Sequence, residues 1–436
     1  MMEPLEVEDI ESTGTEKVSK LSSGSWLTAA FVLANFAIGA GILNYPAAYD
    51  RSGGLLIGSL LQVGVTFVLG TTALALACCS EAHSDRTYHD VLESCIGRKA
   101  RDACACSVAL TCFGICIALL IFTGDLLDRV LASIYGDQFC HTWFLSRQFT
   151  ISVAAIALIL PLCLIEKMTL LQRASAVGVI AMLYPALLTV YSFYKVPRPE
   201  SLELKTEPNS WLDFVVTTPV FCFAYQMHEV VVPVYANMKN RRLPEFAKAV
   251  TSALILLFLV YVTIGCFGYA TYGHAVKPDI MEMFNGSDPV VLVGITALIL
   301  KTVVTYPLMT FCGRESAQSI YVRLFKISPE CAGSDRRKRI VTAIWFAISM
   351  VLSILPIDIG IIIKTLGCLS MLNIFVLPGM CLVGLVWKKP GFFPRDRIVS
   401  AMGYVFIIIG AVLFLFILVD IFVLNIAKEQ TRHLCA

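Results

Sequence analysis

The stretch that decides the architecture is Phe31-Val-Leu-Ala-Asn35-Phe-Ala-Ile-Gly39-Ala40-Gly41-Ile-Leu-Asn44-Tyr-Pro46. It is apolar enough to lie in lipid, yet a polar Asn, two glycines and a proline interrupt it. Each glycine costs a helix about 1 kcal/mol and an interior proline about 3. A helix weakened at one place inside a bilayer must find other partners for the backbone groups it frees. The bland alternative is a small-residue patch that lets two helices pack closely.

A second stretch repeats the pattern: Thr217-Thr218-Pro219-Val-Phe-Cys-Phe223-Ala-Tyr225-Gln226-Met-His228-Glu229-Val-Val-Val-Pro233-Val-Tyr235. Two prolines flank a polar cluster of Gln226, His228 and Glu229. Ionisable groups at this depth face a partner or a cavity; the alternative is that His228 and Glu229 are wet at a cytoplasmic mouth.

The rest of the chain supports a membrane setting. Of its 436 residues 57% are hydrophobic and 15% charged, with mean hydropathy +0.76, against about 25% charged in soluble domains. Apolar runs of roughly 20 residues match a hydrocarbon core about 30 Å thick. The fold class is therefore all-α and membrane-embedded, with about eleven transmembrane helices. They are expected near 25–47, 53–79, 103–134, 148–165, 171–194, 211–237, 246–272, 289–311, 338–355, 358–387 and 399–425. The third is long enough to tilt. The interrupted spans are the first and the sixth. Five helices separate them, and five is odd, so two five-helix sets run in opposite directions, an arrangement associated with a midplane substrate site. The divisions are a disordered tail 1–23, a first repeat 24–194, a loop 195–210, a second repeat 211–387, an extra helix with its preceding loop 388–426, and a tail 427–436.

With a cytoplasmic N-terminus, the loops on that side hold 23 Lys and Arg against about 8 opposite, as the positive-inside rule asks. The C-terminus is then extracellular or lumenal. The sequon at Asn285 falls on the same non-cytoplasmic side, where glycosylation occurs. Residues 87–102 read equally as a short interfacial helix or as a solvated loop. The sixteen cysteines lie mostly within apolar runs and read as packing residues; no spacing suits a metal site. No basic tract points to nucleic acid. His228, Glu229 and the cysteines lack the spacing of a nucleophile and its base, which weighs against a membrane enzyme.

In the eighth span, Lys301-Thr302-Val-Val-Thr305-Tyr306-Pro307 places Thr302 and Thr305 on one face. Their hydroxyl oxygens suit a hard cation; the alternative for each is a bond back to its own helix. Lys301 lies four residues before Thr305 on the same face. An ammonium there substitutes for sodium, links transport to protons, or points elsewhere to a carboxylate. His228 and His433 are the histidines placed to titrate between pH 5 and 8.

Taken together, NFAIGAGILNYPAAYDRSGG, CFAYQMHEVVVPVY, TYPLMTFCGR and DIGIIIKTLGCLSMLNIFVLPG resemble the sodium-coupled neutral amino acid transporters of the amino acid/auxin permease group, most of all their seventh and eighth members. The likeness runs across nearly the whole chain. It implies a LeuT-like five-plus-five inverted repeat with an eleventh helix, and transport of neutral amino acids, glutamine and asparagine foremost. It implies a lysosomal or plasma membrane, and for the seventh member export from the lysosome. By the same resemblance the cation site uses Asn35 and Thr305, and substrate meets Gly39, Ala40, Gly41, Phe223 and Gln226. Sodium or a proton is the coupling ion, with no other cofactor; the partners are a small neutral amino acid and lipid, and no protein partner is assigned. The competing function is an amino acid sensor that keeps this fold and signals without flux.

Overall fold

The computed structural model describes residues 25–136, 139, 142–164, 168–196, 204–208, 210–284, 286, 288–326, 335–355 and 359–424. The 1–23 tail, the tail containing His433 and the glycosylation site Asn285 lie outside them.

The described residues are built from helices in this order: α1 (Trp26–Ala37), α2 (Tyr45–Ser52), α3 (Leu55–His83), α4 (Tyr88–Cys95), α5 (Arg98–Tyr135), α6 (Arg147–Ala154), α7 (Leu160–Leu164), α8 (Met168–Lys195), α9 (Trp211–Ala224), α10 (His228–Ala236), α11 (Leu243–Tyr272), α12 (Pro289–Leu324), α13 (Asp335–Ile354), α14 (Ile359–Met371), α15 (Leu377–Lys388) and α16 (Asp396–Leu424). Among the described residues nine helical stretches are long and apolar enough to cross a bilayer, and the bent pair that begins with α1 and ends with α2 makes a tenth. The expected count was about eleven. The eleventh, α13, is helical over 20 residues, but Arg336, Arg337, Lys338 and Arg339 fill its first turn. Its apolar part is thus shorter, and long cationic side chains at such an end reach back to the interface.

Both interruptions break their helices, the first of them at Gly39, but no proline lies at either break. α1 stops at Ala37, a 3-10 turn runs Ala40–Asn44, and the segment Gly41–Ser52, which ends in α2, departs at 63° to α1. Pro46 is not at the break. It sits in the first turn of α2, where the missing N–H costs nothing. In the second span Pro219 and Pro233 lie inside α9 and α10, and the gap falls at Tyr225–Met227, where there is neither proline nor glycine. Side-chain bonding from the polar cluster, described below, holds that gap open.

Other departures have equally local causes. α5 is 38 residues long and α12 36, so α12 runs well past the expected end near 311. Residues 88–95 form the short helix α4 and not a solvated loop. Tyr88, Val91, Leu92 and Cys95 are buried against α3, α5 and α15, whereas Ile96 is exposed. The described cysteines are free and mostly buried, as packing residues should be.

α2 ends in Gly53-Gly54, with φ of +107° and +94°. That region is open to glycine and strained for other residues, and it turns the chain sharply into α3. From α3, Gln62 reaches back into the core. It accepts from Tyr49 Oη at 2.7 Å and donates to Tyr225 Oη at 2.7 Å, tying α2 to the second break. At the far end of the chain, Lys364 of α14 pairs with Asp420 of α16 at 3.0 Å. Asp420 is nearly buried and Lys364 37% exposed, so the pair is only partly desolvated. Asp420→Ala should cost about 1–3 kcal/mol, below the 3–5 of a fully buried pair. The Lys364→Met/Asp420→Leu double substitution should recover most of that. The unfolding midpoint in detergent checks both.

Candidate functional site

The two breaks face each other. A side chain on Gly41 would touch Phe223 and Ala224 at 3.5–3.6 Å, so the turn after α1 lies directly against the end of α9. One hydroxyl serves both ends: Tyr261 Oη of α11 donates to Ala224 O at 2.7 Å and lies 3.3 Å from Ala37 O. These are carbonyls that a helix terminus leaves without an intrahelical partner. Tyr261 also stacks on Tyr45, with ring centroids 4.6 Å apart. Neither Tyr261 nor Gln62 was singled out from the sequence. The only available signal was a polar atom in an otherwise apolar run, which many transmembrane tyrosines share.

The end of α1 meets α12 in a polar corner of the core. Lys301 Nζ donates to Asn35 O and to Asn35 Oδ1, each at 2.8 Å, and to Thr305 Oγ1. Asn35 Nδ2 turns the other way, donating to Ser175 Oγ of α8 at 3.3 Å. All three are buried, Lys301 at 3% exposure. A charge on Lys301 would be met by dipoles: Asn35 lies in the last turn of α1, whose free carbonyls carry the negative end of the helix dipole. Among the described residues no carboxylate lies within ion-pair distance of Lys301, so the option of a distant acidic partner is not the one adopted. Gly178 of α8 completes the corner. A Cβ there would strike Asn35 Oδ1 and come within 3.3 Å of Lys301 Cδ.

Thr305 joins this corner and Thr302 does not. Both hydroxyls bond back to their own helix, Thr302 to Ile299 O and Thr305 to Lys301 O, each at 2.8 Å. The oxygen of Thr302 faces Thr123 of α5 at 2.9 Å. Lys301 and Thr302 both line a narrow, mostly apolar cavity beside Gly39, Ile42, Phe122 and Met182.

The second break has its own network. Glu229 Oε1 accepts from Gln226 Nε2 and, at 2.8 Å, from Asn373 Nδ2. Asn373 also bonds Thr111 and Ser107 of α5, and Ser370 of α14 donates to Gln226 Oε1. Asn373 sits in a π-turn, Leu372–Val376, between α14 and α15, a distortion common at functional sites. Gln226 is therefore turned toward α14, while Phe223, less buried than its neighbours, stays with Gly41. Glu229 and His228 are 2% and 0% exposed, so they are not wet at a mouth. His228 Nε2 meets Thr72 Oγ1 of α3 at 2.9 Å, away from the first break.

A many-spanned helical protein with two broken helices that meet beside buried polar clusters has the build of a membrane transporter. Residues 22–423 match the family model described as transmembrane amino acid transporter protein, and the chain belongs to that family. It is 33% identical over 368 residues to sodium-coupled neutral amino acid transporter 7 of Rattus norvegicus, covering 82% of this chain and 79% of that one. The Homo sapiens protein of the same name is 33% identical over 365 residues, with the same coverage. Putative sodium-coupled neutral amino acid transporter 8 of Xenopus tropicalis is 26% identical over 403 residues, covering 89% and 91%.

The corner formed by Asn35, Lys301 and Gly178 yields a prediction. Gly178→Ala forces Asn35 off Lys301 and should lower amino acid flux about tenfold or more, whereas Gly64→Ala, with open space around it, should leave flux unchanged. Flux per correctly inserted protein is the readout.

Proposed function

We propose that the chain is a secondary active transporter of neutral amino acids, glutamine and asparagine first, working by alternating access and driven by a sodium or proton gradient. Its five-plus-five inverted repeat spans 24–194 and 211–387, with the N-terminus in the cytosol and the C-terminus outside or in the lysosomal lumen. The observation that carries the reading is the contact of the two breaks, at Gly41 against Phe223 and Ala224.

In this reading the substrate carboxylate meets backbone N–H groups at Gly39, Ala40 and Gly41, which begin the turn leading into α2. An anion is favoured where a helical turn starts. The substrate amine meets carbonyls at the end of α9, and its side chain lies against Phe223. Asn35 and Thr305 make up the cation corner. Gln226 acts through the Glu229–Asn373 network rather than through direct contact, because its side-chain oxygen and nitrogen are already bonded to Ser370 and Glu229. The names of the relatives support the neutral amino acid class, and their sodium coupling supports a cation gradient as the driving force.

Proteoliposomes holding the purified chain should accumulate radiolabelled glutamine. Gly41→Leu, which pushes a side chain against Ala224, should bring uptake to the level of empty liposomes. Wild-type uptake equal to empty liposomes across a panel of neutral amino acids would contradict the reading.

A further inference from the structure

The oxygens that the family resemblance assigns to sodium do not fit sodium in this chain. Two of the atoms in question, Asn35 O and Asn35 Oδ1, lie 2.8 Å from Lys301 Nζ, and Thr305 Oγ1 is bonded to the same nitrogen. Each can only accept toward that nitrogen. The two Asn35 oxygens carry no proton, and the single hydroxyl proton of Thr305 is given to Lys301 O at 2.8 Å. Three acceptors around one nitrogen call for three donors, which is what an ammonium supplies.

The neighbouring elements reinforce this. α1 contributes no ionisable side chain, and its C-terminal dipole favours a positive charge at Asn35. From α8, Ser175 accepts from Asn35 Nδ2, which keeps Oδ1 aimed at the ammonium. Gly178 leaves the space in which the lysine side chain lies. On α5, Asp128 is paired with Arg147 and does not serve Lys301. A sodium ion placed among these oxygens would meet a like charge on the same atoms.

We propose that the Lys301 ammonium is the resident cation of this corner, so that sodium is not bound there and amino acid flux needs none. The inference rests on the reading of the chain as a transporter, but one arm of its test does not.

Purified full-length chain is reconstituted, and glutamine uptake is compared in sodium chloride and in choline chloride. The expected ratio is close to one, and a rise of about tenfold or more in sodium overturns the proposal. In parallel, the thermal unfolding midpoint is followed as sodium replaces choline, because a ligand bound only by the folded state raises it. The wild-type midpoint should stay flat, while Lys301→Ala, which keeps the oxygens and removes the ammonium, should rise with sodium. Equal sodium responses in the two chains overturn the proposal. If Lys301→Ala does not fold, the wild-type midpoint and uptake decide. Absence of glutamine uptake in both salts counts against the transport reading alone, and the midpoint still decides the occupant.

Discussion

A broken helix in a bilayer exposes carbonyls that water cannot reach, and this chain meets that cost with the ammonium of Lys301. α1 ends just before Gly39, inside the core, so the carbonyl of Asn35 lacks a helical donor. Lys301, on a helix far along the chain, supplies that donor and bonds the Asn35 amide and Thr305 with its remaining protons. A buried charge is normally costly without an opposite charge. Here the helix dipole and three oxygens share the compensation, and the arrangement locks α1 against α12. The same logic recurs where Tyr261 caps the ends of α1 and α9 with one hydroxyl.

The second break is held differently. No proline or glycine lies in the Tyr225–Met227 gap. Glu229 of α10 accepts from Gln226 and from Asn373 in the turn between α14 and α15, and Asn373 accepts in turn from Ser107 of α5. Removing any one leaves buried partners unmet, which costs more than the bond itself contributes. The two breaks thus form a single unit, one side cationic and the other built around a carboxylate. Glu229 Oε2 has no partner among the described residues, so that carboxylate ends the network instead of continuing it.

The spans and the first break were legible from sequence because each is a local property, apolar length or glycines inside it, while the second break was marked by its polar cluster of Gln226, His228 and Glu229. Asn35, Thr305 and Lys301 were legible as a group because three- and four-residue spacing fixes a helix face, and because motifs tied that face to α1. What spacing could not supply was rotamer direction. Thr302 shares the face by spacing yet turns to Thr123, and Gln226, quoted beside Phe223, turns to Ser370. Gly178, Tyr261, Gln62 and Asn373 were missed because their role exists only across helices remote in sequence. The prolines misled for a different reason: Pro46 falls in the first turn of α2, an ordinary start, and Pro219 and Pro233 are carried inside α9 and α10 without ending them.

The most direct test of this account is an experimental map of the full-length chain, recorded in sodium chloride at a resolution that shows side-chain ends. The account predicts continuous density from Lys301 to a nitrogen within hydrogen-bond distance of Asn35 O, Asn35 Oδ1 and Thr305 Oγ1. A separate ion bound by those oxygens, with the Lys301 side chain turned away, would contradict it.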